Sequence, residues 1–216
     1  MDQIVPPSPA AAHFIGCLDR STAVKDPYNY WLLDDAFPTG VCEAIANLPF
    51  APPSGAVFNG RRETNNSTRV YFNPTNASRF PVCREVVDVF RTPQVVAKLE
   101  QVTGRDLSAG ALRIEYCQDI EGFWLEPHLD ISVKLFTMLV YLSNEPELRN
   151  CGTDVYDGAP EHNLVARAPY EINKGLIFIP GKDTWHGFAK REINGVRKSI
   201  IINWVTPDWR DRWELA

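Results

Sequence analysis

A histidine and an aspartate separated by one residue occur near the middle of the chain. These are His128 and Asp130, in the stretch WLEPHLDISVKLFTMLVYL that spans residues 124–142. Residues i and i+2 of a β-strand point to the same face, so this imidazole and this carboxylate would converge on one point. Among the four histidines of the chain, His186 in the segment KDTWHGFAK is a suitable third metal ligand. Two imidazoles and one carboxylate on one face of Fe(II) leave three coordination positions open.

A metal would also explain how a carboxylate tolerates this position. Asp130 lies beside a strand dense in apolar residues, where burial without a partner costs several kcal/mol. The alternative is a His–Asp pair that is hydrogen-bonded in a polar corner. The remaining histidines, His13 and His162, lie in stretches containing Pro and Ala and are expected at the surface.

A guanidinium and a hydroxyl follow on a later predicted strand. Arg197 comes eleven residues after His186, and Ser199 follows two residues later. Apolar residues fill the rest of this strand, so the arginine needs a counter-anion. The two side chains could bind a carboxylate, the guanidinium in bidentate fashion. The alternative partner is a structural Asp or Glu.

In this order and spacing, His128-x-Asp130, His186 and Arg197-x-Ser199 resemble the 2-oxoglutarate- and Fe(II)-dependent dioxygenases, most closely their prolyl 4-hydroxylase-like branch. The resemblance covers roughly residues 111–206. It includes further short matches: Tyr116, Tyr141-Leu142, Gly152-Thr153 and Lys174-Gly175.

The resemblance implies a cofactor set and a role for each matching residue. Fe(II) is expected on the catalytic residues His128, Asp130 and His186, with 2-oxoglutarate and O2 as cosubstrates. Arg197 would bind the distal carboxylate of 2-oxoglutarate, and Ser199 would donate its hydroxyl. Tyr116 and Tyr141 are expected to line the same pocket, although tyrosines in strands more often belong to the core. Lys134 is a rival anchor that we discount, because it follows Asp130 by only four residues.

The implied reaction is hydroxylation of an unactivated C–H bond in a small molecule, an amino acid or a peptidyl residue, with release of succinate and CO2. Asp130 favours hydroxylation over halogenation, because no ligand position is left for a halide. Two other classes remain open. One is a cupin-type metal-binding jelly roll that does not use 2-oxoglutarate, and the other is a non-enzymatic binding or sensing module on the same scaffold.

Many short strands separated by turn residues, from residue 111 to about 206, predict a sandwich or barrel. The resemblance implies a double-stranded β-helix, which is a cupin-like jelly roll, so we expect a mainly β fold with flanking helices. Helical patterns on both sides of Pro93 predict two helices with a break there. Residues 1–26, rich in Pro and Ala, are predicted to be a loosely held arm before a single domain at 27–216.

The overall composition limits the partners and the compartment. A net charge of −5 gives no basic field, so we expect no nucleic-acid partner. The absence of an apolar run of about 18 residues predicts no membrane span. The N-terminal residues lack the pattern of a signal peptide, and five scattered cysteines indicate reduced thiols. These features predict a cytoplasmic protein, and they leave its oligomeric state open.

Residues on the substrate side are predicted from one long polar segment. The stretch from Val57 to Phe72 contains Gly60, three Asn and Ser67, which favour mobility, so it is predicted to be a lid over the substrate entrance. The alternative is an ordinary surface connection. The candidate substrate contacts are Arg61, Arg62, Arg69, Tyr71 and Trp124.

Overall fold

The computed structural model of the protein describes residues 6–62 and 68–216 and forms two antiparallel sheets. The larger sheet has the strand order β1-β2-β9-β6-β11-β4-β3, and the smaller has the order β5-β10-β7-β8. The strands are β1 (Thr22–Val24), β2 (Tyr30–Leu33), β3 (Val70–Tyr71), β4 (Ala111–Asp119), β5 (Leu125–His128), β6 (Lys134–Tyr141), β7 (Asp154–Tyr156), β8 (Leu164–Arg167), β9 (Gly175–Phe178), β10 (His186–Phe188) and β11 (Arg197–Val205). The non-sequential strand order is that of a jelly roll, so the predicted fold class is confirmed.

Alternation along the central strands decides which side chains face the helices and which face the second sheet. On β11, Ile200 and Ile202 belong to the apolar core on the helix side. Arg197 and Ser199 point the other way and line a cavity between the two sheets. Successive residues of a strand point to opposite faces, so one strand contributes to both the core and the cavity.

Five helices flank the larger sheet within the described residues. They are α1 (Pro9–Arg20), α2 (Thr39–Ala46), α3 (Pro74–Arg79), α4 (Pro81–Arg91) and α5 (Pro93–Thr103). Four of them begin on a proline, whose fixed φ and missing N–H suit the first helical turn. Pro93 separates α4 from α5, as its position in the sequence predicts.

The prediction that residues 1–26 form a loosely held arm is wrong for the described part of this segment. Pro9–Arg20 is a helix capped by Ser8, whose Oγ accepts a hydrogen bond from the N–H of Ala11. Its residues Phe14 and Cys17 are fully buried, and the Phe14 ring lies 5.0 Å from the Phe90 ring of α4. The apolar stripe of α1 is short and interrupted by small residues, so the sequence pattern does not indicate a helix here.

Two further observations concern membrane-spanning helices and the thiols. Within residues 6–62 and 68–216, no helix has the length and hydrophobicity needed to span a bilayer. All five cysteines are free and buried. Burial raises the pKa of Cys83 and of Cys117 to about 12, so both remain unreactive thiols at neutral pH.

Candidate metal centre and its cavity

Three potential metal ligands converge at one end of the smaller sheet. His128 ends β5 and pairs directly with His186, the first residue of β10, and their ring centroids are 4.4 Å apart. Asp130 lies in the loop just after β5, not on the strand as the sequence predicts. One ligand atom from each of the three residues lies within 4.8 Å of the others. The three side chains therefore form a group that could hold one metal ion.

The hydrogen bonds of both histidines orient a lone pair toward the centre of this group. The Nδ1 of His128 contacts the carbonyl of Glu126 at 2.8 Å, and the Nδ1 of His186 contacts the carbonyl of Thr184 at 2.9 Å. A carbonyl can only accept, so each Nδ1 carries the proton and each Nε2 keeps a lone pair. Burial lowers the pKa of His128 and lowers that of His186 to about 3, so both imidazoles are neutral at pH 7.

The carboxylate is held by two donors on β6. Lys134 Nζ donates to Oδ1 of Asp130 at 2.6 Å, and Thr137 Oγ1 donates to Oδ2 at 2.7 Å. Burial opposes ionisation of Asp130, but Lys134 and Thr137 outweigh it and hold the pKa of this carboxyl well below its usual range. Two neutral imidazole nitrogens and one carboxylate oxygen are a donor set that fits Fe(II). Sequence reasoning missed the role of Lys134 as a partner of Asp130.

A cavity between the two sheets connects the three potential ligands to Arg197. Its wall includes four cationic side chains (Arg62, Arg69, Lys134 and Arg197) and two acidic ones (Asp119 and Asp130). Arg62 also pairs with the buried Glu115 outside this wall, which leaves an excess of one positive charge in the cavity. Because burial of an unpaired charge is costly, the wall suits an anionic ligand.

Arg197 lies at the deep end of this cavity and already has a counter-anion in the chain. It pairs with Asp119 directly across β4 and β11, and its Nη1 donates to Oδ2 of Asp119 at 2.6 Å. Its Nε donates to the carbonyl of Cys151 at 2.7 Å. The guanidinium is 4.8 Å from the ring centroid of Phe188. The structural carboxylate that the sequence left open as an alternative partner is therefore present.

Ser199 presents a hydroxyl that makes no hydrogen bond within the described residues. Its Oγ is buried and lines the cavity, between Cys117 on β4 and Tyr141 on β6. A buried hydroxyl without a partner costs about 1–3 kcal/mol. This position therefore suits a donor to a ligand in the cavity, as the sequence predicts for Ser199.

The two candidate pocket tyrosines face opposite sides of the larger sheet. Tyr141 points toward the second sheet, where its hydroxyl donates to Thr153 Oγ1 at 2.9 Å; Thr153, and not Tyr141, lines the cavity. Tyr116 belongs to the core on the helix side, and its hydroxyl points at the carbonyl of Ala46. The prediction that Tyr116 lines the pocket is wrong, because the inward residues of β4 have odd numbers.

The candidate substrate residues separate into two groups. Arg62 and Arg69 line the cavity, and Arg61 and Arg62 line a groove outside the three potential ligands. Neither this cavity nor this groove includes the remaining two candidates. Tyr71 packs against Trp213 with ring centroids 5.0 Å apart, and its hydroxyl accepts from Arg113. Trp124 lies under Gly60, where a Cβ would come within 2.3 Å of its ring. Tyr71 and Trp124 are therefore structural contacts in this arrangement.

The predicted lid is partly fixed to the smaller sheet. The carbonyl of Gly60 accepts from the N–H of Glu126 at 2.9 Å, and Gly60 forms an isolated parallel bridge with Leu125. Residues 63–67 of the proposed lid lie outside the described residues, so closure over a substrate stays a prediction.

Sequence reasoning missed two sets of wall residues. The outer groove is also lined by Trp209, Asp211 and Glu214 of the C-terminal segment, for which the sequence gives no signal. Asp119 could have been found. On β4, Arg113, Glu115 and Asp119 occupy alternate positions, and this period-two pattern of charge marks the inward face.

Comparison with known proteins identifies the fold. No protein-family profile matches the sequence, and no curated protein matches it either. Solved structures do match. A prolyl-4-hydroxylase from Pseudomonas putida is 13% identical with a TM-score of 0.55, covering 95% of this chain and 97% of that one. A prolyl hydroxylase from Trichoplax adhaerens, solved with a peptide fragment of the hypoxia inducible factor oxygen degradation domain, is 14% identical with a TM-score of 0.55, covering 92% and 90%.

A third similar structure extends beyond this chain. A prolyl 4-hydroxylase from Phytophthora capsici is 13% identical with a TM-score of 0.59, and the match covers 92% of this chain and 64% of that one. At this level of identity the likeness establishes a common fold and no more. The protein thus has the jelly-roll fold of prolyl hydroxylases.

Proposed function

We propose that the protein is a 2-oxoglutarate- and Fe(II)-dependent oxygenase that hydroxylates an unactivated C–H bond. The observation that carries the proposal is the group of His128, Asp130 and His186, with ligand atoms within 4.8 Å of one another at one end of a cationic cavity. When bound, iron and 2-oxoglutarate would activate O2 for oxidation of a substrate, with succinate and CO2 as products. The fold shared with prolyl hydroxylases supports this reaction class.

The chain's own residues provide binding and orientation. The Nδ1 hydrogen bonds of His128 and His186 fix the tautomer in which Nε2 is free for a metal. Lys134 and Thr137 keep Asp130 ionised and fix its direction. Because the cavity lies between two sheets, it shields the site from bulk water and from stray reductants.

The deep end of the cavity would hold the cosubstrate. Arg197 would pair with the distal carboxylate of 2-oxoglutarate, and Ser199 would donate its hydroxyl to the same group. The unpartnered Ser199 Oγ and the positive excess of the lining support this assignment. The substrate would enter through the outer groove beside His128, where Arg61 and Arg62 lie.

The class of substrate remains broad within this proposal. One structural relative is bound to a peptide, which supports a peptidyl substrate for this chain as well. Amino acids and small molecules are equally compatible with the mixed acidic and basic lining of the groove. Succinate release, measured across peptides, free amino acids and natural-product scaffolds, will identify the class.

The ligand assignment is tested by anaerobic titration of metal-free protein with Fe(II) and 2-oxoglutarate. The wild-type protein should develop the weak visible charge-transfer band of the chelate. His128→Ala and His186→Ala should lose the band, whereas His13→Ala, on helix α1, should keep it. If both site variants retain the band undiminished, the assignment is wrong.

One contact favours a second candidate function, a metal-binding jelly roll that does not use 2-oxoglutarate. Asp119 already neutralises Arg197 at 2.6 Å, as a purely structural ion pair would. In that case the protein should bind a divalent metal through the same three residues, and 2-oxoglutarate should change neither the spectrum nor the melting temperature.

A further inference from the structure

Asp119 does not pair with Arg197 alone, because a second arginine reaches it from the opposite side. Arg69 Nη1 donates to Oδ1 of Asp119 at 2.6 Å, while Arg197 Nη1 donates to Oδ2 at the same distance. The side chains of Arg69 and Asp119 are each 2% exposed, and that of Arg197 is 6% exposed. These three residues are called the cavity triad below, since all of them line the cavity.

The three side chains of the cavity triad carry a net charge of +1, and the neighbouring carboxylate, Glu115, is already paired with Arg62 and Arg113. Two guanidinium groups share one carboxylate, and burial makes the remaining charge expensive unless another anion approaches. Two buried donors in the same wall also have no partner among the described residues, namely Arg69 Nε and Ser199 Oγ. An excess charge together with unused donors points to an anion as the missing partner.

The molecule contains a second Arg–Asp–Arg group in which nothing is missing. Asp154 pairs with Arg167 across β7 and β8 and with Arg191, and these three residues are called the outer triad. Asp154 also accepts from the N–H of Ala189 and the hydroxyl of Tyr156. The side chain of Arg167 is 32% exposed and that of Arg191 13%, and Arg191 also donates to the carbonyls of Asn150 and Ala189. Solvent and these acceptors therefore satisfy the remaining donors of the outer triad.

Building on the proposed function, we propose that Arg69 and Asp119 determine the charge of the cosubstrate site and make it select a 2-oxo acid with a second carboxylate. Asp119 positions Arg197 and cancels one guanidinium charge. Arg69 supplies the charge that then remains for the distal carboxylate. Without Arg69, the pair of Asp119 and Arg197 is neutral, and an incoming carboxylate would meet a carboxylate with no net attraction.

The test compares binding of two ligands that differ only at the distal end. 2-Oxoglutarate and 2-oxopentanoate are titrated calorimetrically into the Mn(II)-loaded protein, in which no turnover occurs. The wild-type protein should prefer 2-oxoglutarate by at least tenfold, which is the size expected for one buried charge pair. Arg69→Met should abolish most of that preference and leave 2-oxopentanoate binding within about threefold.

Two further variants separate charge from structure. Arg69→Met combined with Asp119→Asn restores one positive charge and should recover the preference for 2-oxoglutarate. Arg167→Met removes an arginine from the outer triad and should leave the preference unchanged. Melting temperatures establish that each variant is folded. If Arg69→Met does not fold, the charge-restored double variant must still prefer 2-oxoglutarate.

The outcomes distinguish this inference from the proposed function. An unchanged preference in folded Arg69→Met, or a double variant that does not recover it, overturns the role of the cavity triad alone. A wild-type protein that binds neither 2-oxo acid overturns the proposed function and this inference together.

Discussion

The cavity triad and the outer triad have the same composition and nearly the same local geometry. In each, an aspartate faces an arginine directly across two antiparallel strands, and a second arginine comes from elsewhere in the chain. In the outer triad, Asp154 accepts from four groups, and Arg191 uses its three nitrogens on Asp154 and two carbonyls. In the cavity triad, Asp119 accepts from two groups within the described residues, and Arg69 Nε donates to none of them.

The difference shows that the donors and charges left unpaired by an ion pair in a cavity indicate whether a ligand is expected there. The outer triad, whose donors and acceptors are paired or partly exposed, needs no ligand and links β7, β8 and the segment before β11. The cavity triad is less exposed and keeps an unpaired donor, so its burial is unfavourable in free energy unless a ligand binds. The contrast between the two triads therefore supports a ligand site more strongly than the arginine of β11 does by itself.

Removal of the central aspartate should have the largest effect in both triads. Asp119→Ala and Asp154→Ala each leave two arginines without their carboxylate, so each should lose about 3–5 kcal/mol of unfolding free energy. Both variants keep the two cavity arginines, so 2-oxoglutarate with Mn(II) should bind each of them. It should raise the melting temperature of Asp119→Ala by more, because in that variant the distal carboxylate replaces the missing counter-anion of Arg69 and Arg197. Equal ligand-induced shifts in melting temperature would contradict the conclusion that the two triads differ in anion binding.

Removal of one arginine should separate cosubstrate binding from stability. Arg197→Ala should raise the apparent dissociation constant for 2-oxoglutarate at least tenfold, because a buried charge partner is worth about 2–5 kcal/mol. Arg167→Ala should destabilise the fold without changing that constant, although Arg167 carries the same charge and also pairs with a buried aspartate. Calorimetry on both variants gives the answer, and an unaltered constant in Arg197→Ala removes this residue from the site.

A pair of hydroxyl deletions should give the smallest effects, in opposite patterns. Ser199→Ala removes a buried hydroxyl that has no partner, so the unfolding free energy should not fall, while 2-oxoglutarate binding weakens several-fold. Tyr156→Phe removes a donor to Asp154 and should cost about 0.5–1.5 kcal/mol of stability with no change in binding. Chemical denaturation combined with calorimetry measures both quantities, and the same pattern in both variants would contradict the comparison.

The sequence was sufficient for the fold class and for the approach of the three potential metal ligands. Strand signals and the His-x-Asp pair are local patterns that can be read from the sequence. His186 is distant in sequence, and the resemblance indicated it as the third ligand. The partner of Arg197 could not be predicted, because Asp119 lies 78 positions away and becomes a neighbour only through the register of β4 and β11. The orientation of Tyr116 follows from the alternation along β4, because its charged residues have odd numbers and the even-numbered Tyr116 belongs to the opposite face.

The position of helix α1 has a practical consequence for anyone who shortens this protein. A fragment starting at residue 27 would keep every residue of the cavity and of the three potential ligands, and on paper it would contain the complete site. It would also lack Phe14, which packs against the rings of Phe37 and Phe90, so an apolar surface on the helix side of the larger sheet would be exposed to solvent. Such a fragment is expected to aggregate on expression, and its failure would carry no information about catalysis.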